Sequence, residues 1–299
     1  YRNEIAMLDL NPPRIEDPVA EVGCTYFFLS YHGLSDLELN VATARMFEKA
    51  CPSLLYSAPH CGRPREPGRL RIGFISQNFR NHSIGRSSRG VISKLDPVRF
   101  EKTVYFFQEP KDEISRFIRD QAEHAVILTP SLEAARKRIA EDRLDILYYQ
   151  DIGMDPLTYF LAFSRLATLQ SVRHGHPDTT GIRNMDWWIS CEGFEPEGAE
   201  SHFSERLVKL RGIAAPTYYF RPKPPERLKT REDFGIEPGT HLYSCPQTLF
   251  KFHPDFDPML AAILRGDPLG RLAVIAYRRE SLTQALKQHV IVLDELGFI

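Results

Sequence analysis

The sequence predicts an α/β protein whose main part is a doubly wound parallel sheet. From Leu70 onward, short apolar runs alternate with longer segments that carry apolar residues at helical spacing. The first run, 72–75, is apolar almost throughout, as expected of a strand that is buried on both faces of a parallel sheet. Strands separated by helices form βαβ units, and their right-handed crossovers give a doubly wound sheet.

The predicted elements follow in chain order. Residues 1–25 are rich in proline and are predicted to be an irregular strap or linker, whereas 36–51 has the spacing of an amphipathic helix. A second linker follows at 58–67. Strands are then predicted at 70–76, 101–107, 124–128, 144–149, 167–172, 186–191 and 206–210. Helices are predicted between the first five strands, at 84–95, 112–121, 131–142 and 155–165.

A proline-rich connection at 221–225 precedes what we predict to be the start of a second α/β unit. This unit is expected to contain a helix at 227–235, a strand at 241–245, a helix at 255–265, a strand at 270–276 and a helix at 279–288. The predicted division is therefore an N-terminal strap and helical linker region (1–68), a first Rossmann-like domain (69–222) and a truncated second domain (223–299).

Composition excludes several classes of protein. The 38 basic and 39 acidic residues leave a net charge of −1, which argues against nucleic-acid binding driven by bulk charge. The five cysteines show no C-x-x-C spacing, so neither a zinc site nor a disulfide framework is predicted, and a reducing cytoplasm is expected. No apolar run reaches the roughly 18 residues that span a bilayer, so no membrane partner is expected.

Two polar loops at strand ends are the first candidates for a site. The loop 77–83 places His82 beside a predicted helix N-terminus, which suits a phosphate; the alternative is that His82 only caps or packs. The loop 150–154 contains Asp151, which could accept a hydrogen bond from a sugar hydroxyl or from an acceptor substrate. Gly153 would allow close approach of a ligand. The alternative for Asp151 is the N-cap of the helix at 155–165.

Two further loops carry candidate residues. The loop 173–181 holds His174, His176, Thr179 and Thr180 among glycines, a set better suited to a polyol or phosphate than to zinc, because no third metal ligand is near in sequence. The loop 245–254 holds a glutamine that could bind a base or ribose and a lysine that could bind a diphosphate, Gln247 and Lys251. The common phosphate-binding and nucleophile motifs are absent from the chain.

Four segments, taken in this order, carry a resemblance to a known family. They are RIGFISQNFRNHSIGR, DILYYQDIGMDPLTYFLAFSRLATLQSV, GHPDTTGI and CPQTLFKFHPDFD. Together they resemble the SPINDLY-like O-linked N-acetylglucosamine transferase family, which also includes bacterial N-glucosyltransferases. The weaker matches are FFLSYHGLSD and HFSERLVKLRG. The likeness extends over about residues 24–265.

The resemblance implies a GT-B architecture with two Rossmann-like domains and an active site in the cleft between them. It implies an inverting, metal-independent transfer of GlcNAc or glucose from a UDP-sugar to an acceptor protein or peptide, without a cofactor. His82 falls on the active-site histidine of the family. Gly175, His176 and Pro177 fall on the segment that lines the donor-sugar pocket. Gln247 and Lys251 resemble the residues that hold the nucleotide and diphosphate, although one extra residue separates them here.

The chain departs from the family pattern in two places. Arg173 and His174 are unusual at their positions, and the second domain lacks the Gly-His-Thr-Thr-Gly-type loop expected further along. We therefore expect an internal fragment of a hexosyltransferase that is inactive alone. The alternatives are a GDP-fucose-dependent protein fucosyltransferase and a non-catalytic module that binds nucleotide sugar or protein.

Overall fold

In a computed structural model, the structure describes residues 1–212 and 216–274. The chain divides into two compact units: Tyr1–Ser30 with Ser35–Arg221, and Tyr31–Leu34 with Pro222–Ile299. The N-terminal segment thus belongs to the same unit as the main sheet. The division at residue 68 that we drew from the sequence stays a prediction.

The first unit consists of parallel strands linked by helices, as the sequence predicts. Its strands are β1 (Leu70–Ile75), β2 (Phe100–Phe106), β3 (His124–Ile127), β4 (Ile146–Tyr149), β5 (Leu169–Arg173), β6 (Trp187–Cys191) and β7 (Arg206–Leu210). Its helices are α1 (Arg2–Leu10), α2 (Pro18–Val22), α3 (Leu37–Ala50), α4 (Ser83–Lys94), α5 (Glu113–Asp120), α6 (Leu132–Glu141) and α7 (Pro156–Leu161). Asp112, Ser131 and Asp155 cap α5, α6 and α7 through their side-chain oxygens.

The seven strands pair in the order β3-β2-β1-β4-β5-β6-β7, and every pairing is parallel. The chain first builds outward from β1 to β3 and then restarts on the other side of β1 with β4. Ile75 lies in register with Tyr105 and with Tyr149, so the carboxyl ends of the three central strands are level. A crevice at the carboxyl edge is expected where the strand order reverses, between β1 and β4.

Apolar side chains cover both faces of this sheet. One cluster combines strand residues such as Tyr105 and Leu147 with helix residues such as Phe47 and Phe160. The other packs Phe74 and its strand neighbours against α4 and α5. The clusters confirm the doubly wound arrangement, because each face of a parallel sheet needs its own apolar layer.

The N-terminal segment is more regular than the sequence suggests. We expected an irregular strap over 1–25, but α1 and α2 form there. Asp17 caps α2 and Pro18 occupies its first turn, a helix-start signal that the proline content concealed. Asp9 at the end of α1 forms ion pairs with Arg45 and Lys49 of α3, at 2.7 Å each. Contacts with α3 therefore hold α1, which has a weak apolar pattern of its own.

The second unit contains a pair of parallel strands, β8 (His241–Cys245) and β9 (Gly270–Val274), with α8 (Asp257–Gly266) between them. These elements confirm the predicted strand, helix and strand. The predicted helix at 227–235 is wrong, since only a 3-10 turn forms at Glu232–Phe234. There the Asp233 carboxylate accepts the Thr230 N–H at 2.8 Å, which competes with helix formation. The predicted helix at 279–288 lies outside the described residues.

Candidate functional site

Three loops meet at the carboxyl edge of the first unit, next to the point where the strand order reverses. They follow β1, β4 and β5, which are adjacent in the sheet. Each contains residues that the sequence singled out: His82 after β1, Asp151 and Gly153 after β4, and Gly175 and His176 after β5. Parallel strands thus bring together side chains that are far apart in the sequence.

His82 is the N-cap residue of α4. Its ring Nδ1 accepts the main-chain N–H of Ile84 at 3.2 Å, and the side chain is half-buried. Burial lowers the pKa of His82, and the neighbouring Arg80 lowers it further. The capping role that the sequence left open is therefore present. The neutral ring that accepts at Nδ1 carries its proton on Nε2.

The loop before His82 is tightly folded against α4. The Asn78 carbonyl accepts the Arg80 N–H at 2.7 Å, and the Arg80 carbonyl accepts the His82 N–H at 2.6 Å. A Cβ on Gly85 would come within 2.2 Å of the Arg80 carbonyl oxygen, so only glycine allows this approach. On the outer side, Asp112 accepts the Asn81 N–H at 2.9 Å.

The loop after β4 presents a buried carboxyl group. Asp151 is 0% exposed, and its Oδ2 accepts the side-chain N–H of Asn78 at 2.7 Å. Burial raises the pKa of Asp151 to about 7. The alternative role of Asp151 as an N-cap is wrong, because Asp155 caps α7. The Asp151 side chain has no exposed surface in this structure and contacts only neighbouring protein groups such as Asn78. Its contact with an acceptor or a sugar stays a prediction.

Gly153 and His176 lie against each other. Gly153 has a φ of +96°, and a Cβ there would lie 2.8 Å from the His176 ring. The His176 ring stacks on Phe27 at a centroid distance of 5.0 Å. Both of its nitrogens are buried without a hydrogen-bond partner among the described residues. Burial lowers the pKa of His176 to about 4, so the ring is neutral and can both donate and accept.

The residues before His176 explain two departures from the family pattern. Arg173 is buried and donates to Gln150 at 3.0 Å and to the hydroxyls of Ser87 and Ser88 at 2.6 and 2.9 Å. It therefore joins β5 to α4. The His174 ring packs edge-on against Phe194 at 5.5 Å, in the way an aromatic residue would.

Gly175 is packed without spare room. A Cβ on it would lie 2.0 Å from the Gln150 carbonyl oxygen. Pro177, two residues further on, is exposed. In the segment 175–177, which resembles the lining of a donor-sugar pocket, Gly175 is therefore tightly packed and Pro177 faces solvent.

Thr179 and Thr180 are anchored by a carboxylate that the sequence analysis did not single out. Glu205 is buried and accepts from the Thr179 hydroxyl at 2.7 Å, from the Thr180 N–H at 2.9 Å and from the Thr180 hydroxyl. Each hydroxyl uses its single donor on Glu205, so donation from either one to a sugar would require this pairing to be broken. The only sequence signal for Glu205 is its place in the weaker match HFSERLVKLRG.

In the second unit, Gln247 and Lys251 follow the carboxyl end of β8, and both side chains are exposed. Lys251 ends a 3-10 turn, Leu249–Lys251, and its N–H donates to the Thr248 carbonyl at 3.0 Å. Its Nζ lies 5.7 Å from the centroid of the Tyr31 ring, within cation–π distance. The spacing between Gln247 and Lys251 thus includes a short helical turn.

No cluster of three or more metal-ligating side chains occurs within residues 1–212 and 216–274. His174 and His176, the His-x-His pair, pack against different aromatic rings. The part of the chain that the structure describes also has no helix of the length and apolarity needed to cross a membrane.

The fold and this edge define a GT-B-type protein. A mutant of the O-GlcNAc transferase of Thermobaculum terrenum superimposes on 92% of this chain and 54% of its own, with a TM-score of 0.69 and 23% sequence identity. This likeness confirms the predicted fold class. No family model matches the chain.

Curated proteins with similar sequences are protein glycosyltransferases. A probable UDP-N-acetylglucosamine–peptide N-acetylglucosaminyltransferase of Arabidopsis thaliana is 25% identical over 221 residues, covering 71% of this chain and 23% of that protein. A UDP-glucose:protein N-β-glucosyltransferase of Actinobacillus pleuropneumoniae is 32% identical over 134 residues, covering 44% of this chain and 20% of that protein. The predicted resemblance is confirmed, and the chain spans less than a quarter of the length of these relatives.

Proposed function

We propose that the protein containing this chain transfers a sugar, GlcNAc or glucose, from a UDP-sugar to a protein side chain. The observation that carries the proposal is the position of His82, at the N-terminus of α4 and at the edge where the strand order reverses. Similarity to enzymes named for transfer from UDP-N-acetylglucosamine or UDP-glucose to peptide or protein supports it.

We propose that His82 acts as a hydrogen-bond donor and not as the proton acceptor. Its Nδ1 lone pair is occupied by the Ile84 N–H, and its neutral ring leaves the Nε2–H available. The N-terminal end of a helix also favours negative charge. A donor at this position stabilises an anionic oxygen, such as one on the departing diphosphate.

The proposed reaction is a single displacement with inversion at the anomeric carbon. The oxygen or nitrogen of the acceptor side chain forms a bond to that carbon, and the bond from the carbon to the diphosphate oxygen breaks. The electron pair leaves with UDP, and the proton of the acceptor passes to solvent. Gln247 would bind the nucleotide and Lys251 the diphosphate, where an exposed ammonium group supplies charge without a metal ion.

His176 is proposed to contact the donor sugar. Its neutral ring offers one donor and one acceptor, which suit sugar hydroxyl groups. Both ring nitrogens are buried in this structure, so a sugar reaches them only if the Phe27 ring or the Gly153 loop moves aside, while Gly175 keeps the main chain fixed against Gln150. Selection of the sugar then depends on the fixed main chain at Gly175 and on the His176 ring, which can both donate and accept a hydrogen bond.

Calorimetric titration of the full-length protein with UDP, with GDP as the control, tests the proposal. Binding of UDP that is lost in Gln247→Ala, together with sugar transfer to protein that persists in EDTA, would support it. A preference for GDP would favour the fucosyl alternative. Binding of neither nucleotide would overturn the proposal and favour a non-catalytic module.

We further propose a cytoplasmic location. All five cysteines are free, including the exposed Cys24 and the half-buried Cys61 and Cys245. Free thiols are usual in a reducing compartment. Measurement of free thiols in protein isolated without reductant tests this point, because an oxidising location would leave disulfides.

A further inference from the structure

We infer that Asp151 is a positioning residue for the loop that carries His82, and that it acts through Asn78. The contact itself is independent of the enzymatic role, but its consequence for turnover rests on the proposed function. Asp151 Oδ2 accepts from Asn78 Nδ2 at 2.7 Å. Asp151 is 0% exposed and Asn78 is 7% exposed, so water cannot readily replace this hydrogen bond.

The contact joins two loops that follow neighbouring strands. Asn78 belongs to the loop after β1 and Asp151 to the loop after β4, and 73 residues separate them in the chain. Asn78 is fixed further by its main-chain N–H, which donates to the Ser76 hydroxyl at 2.8 Å. The Asn78 side chain therefore attaches the His82 loop to the loop after β4, whereas Asn81 attaches it on the outer side to Asp112.

A short series of hydrogen bonds leads from Asn78 to His82. The Asn78 carbonyl accepts from Arg80 and the Arg80 carbonyl accepts from His82, at 2.7 and 2.6 Å. The same two carbonyl oxygens lie against Gly85, at 3.0 and 2.2 Å from the position of a Cβ. A shift of Asn78 would therefore move the His82 main chain or separate it from α4, because the interior leaves no room to absorb the change.

The buried surroundings of Asp151 disfavour the charged form of its carboxyl group, which acts here as a hydrogen-bond acceptor. Burial, and to a lesser extent the charge of the neighbouring Asp155, raise the pKa of Asp151, while Ser76, Asn78 and Arg173 lower it. Its Oδ1 has no hydrogen-bond partner among the described residues. An asparagine at this position could supply the same acceptor oxygen to Asn78, whereas a leucine of similar size could not.

Hydrogen exchange and steady-state kinetics of the full-length protein test the inference together. In Asp151→Leu, main-chain exchange in 77–83 is expected to accelerate about ten-fold, the size of effect expected for a lost buried hydrogen bond. The kcat is expected to fall about ten-fold or more with the KM for the UDP-sugar little changed. Asp151→Asn is expected to restore both readouts to near the wild-type values.

Asp155→Ala is the matched control. Asp155 is also buried and lies in the same loop region, but it caps α7 and has no hydrogen bond to the His82 loop. Its loss should lower the midpoint of thermal unfolding through the lost cap. Exchange in 77–83 should stay as in the wild type.

Asn78→Leu examines the same contact from the other side, and it serves if Asp151→Leu does not fold. It should match Asp151→Leu, and the double variant should lose little more than either single variant. Unchanged exchange in 77–83 in both single variants would overturn the inference, as would the same kcat loss in Asp155→Ala. If the wild-type protein transfers no sugar, the proposed function fails, while the exchange data still decide whether Asp151 positions the loop.

Discussion

The ring nitrogen Nδ1 of His82 accepts the main-chain N–H of Ile84 at 3.2 Å, so the residue at the centre of the candidate site also starts α4. This contact selects one tautomer of the imidazole, because the nitrogen that accepts cannot also carry the proton of the neutral ring. The side chain therefore caps the helix through one nitrogen and keeps an N–H at the other, which is the group that we propose as a hydrogen-bond donor.

His82 is predicted to be the Nε2–H tautomer with a pKa below the ordinary histidine value, because burial and Arg80 both oppose its charged form. The pKa is lowered in the folded state, so the contribution of this group to stability is complete above about pH 6.5 and declines as the pH falls. Nitrogen-15 NMR of the imidazoles, assigned with a His82→Asn variant, measures the tautomer and the pKa. An Nδ1–H tautomer would contradict the prediction.

The same substitution separates the two roles of His82. Asparagine is a favourable N-cap residue, so His82→Asn should keep the free energy of unfolding within about 0.5 kcal/mol of the wild type, whereas His82→Ala should lose about 1 kcal/mol. Both variants lack the Nε2 donor and should lose kcat alike. Retention of the wild-type kcat by His82→Asn would show that capping is the whole role of this residue.

Glu205→Ala is predicted to lower the free energy of unfolding by about 3 kcal/mol. The change would leave the hydroxyls of Thr179 and Thr180 and one main-chain N–H without their buried acceptor. Urea denaturation measures the loss. The exposed Glu197 lies nearby in the chain, and Glu197→Ala should change stability by less than about 0.5 kcal/mol. Equal effects of the two substitutions would mean that Glu205 does not anchor this loop.

Gly175→Ala is predicted to be more damaging than one added methyl group usually is. Its Cβ would lie 2.0 Å from the Gln150 carbonyl oxygen and 2.8 Å from Ile84 Cδ1, so main chain would have to move. We expect a loss of about 2 kcal/mol in the free energy of unfolding. Gly62→Ala is the control, since no atom lies within 4 Å of its added Cβ. A midpoint of thermal unfolding as high in Gly175→Ala as in Gly62→Ala would contradict the close packing.

The spacing of apolar residues was sufficient to predict the parallel sheet, because each βαβ unit has its own alternation of apolar strand and amphipathic helix. The strand ends then located His82, Gly175 and His176 at one edge, since parallel strands end on the same side. The pairings of Asn78 with Asp151 and of Thr180 with Glu205 had no comparable signal. They join side chains 73 and 25 residues apart, and no local pattern specifies which buried polar groups meet.

The helices α1 and α2 were missed for a related reason. The prolines between and within them (Pro12, Pro13 and Pro18) favour loop in isolation, and contacts with α3 and the Asp17 cap decide the outcome. The error at 227–235 has the opposite cause, because a helical pattern there gave way to a local contact between Asp233 and Thr230. Tertiary contacts and side-chain competition thus override weak propensity in both directions.

Asp178→Asn is predicted to raise the free energy of unfolding above that of the wild type, by an amount that grows with pH. Burial raises the pKa of Asp178 to about 6, so the folded state holds this proton more tightly than the unfolded state does. The free energy of unfolding of the wild type therefore falls between about pH 4 and pH 6, and a side chain that does not titrate avoids this loss. The amide can keep an oxygen toward Asn40, which donates to Asp178 at 2.9 Å.

Denaturation at a series of pH values measures this effect. The gain of Asp178→Asn over the wild type should be smallest below about pH 4 and should grow to about 3 kcal/mol by pH 7, where the wild-type carboxyl is charged. Asn40→Leu supplies the comparison, since it removes the main hydrogen-bond donor to Asp178. In this variant the free energy of unfolding should fall more steeply with rising pH than it does in the wild type. A difference between Asp178→Asn and wild type that stays constant from pH 4 to pH 7 would show that Asp178 is charged at little cost, and would refute the raised pKa.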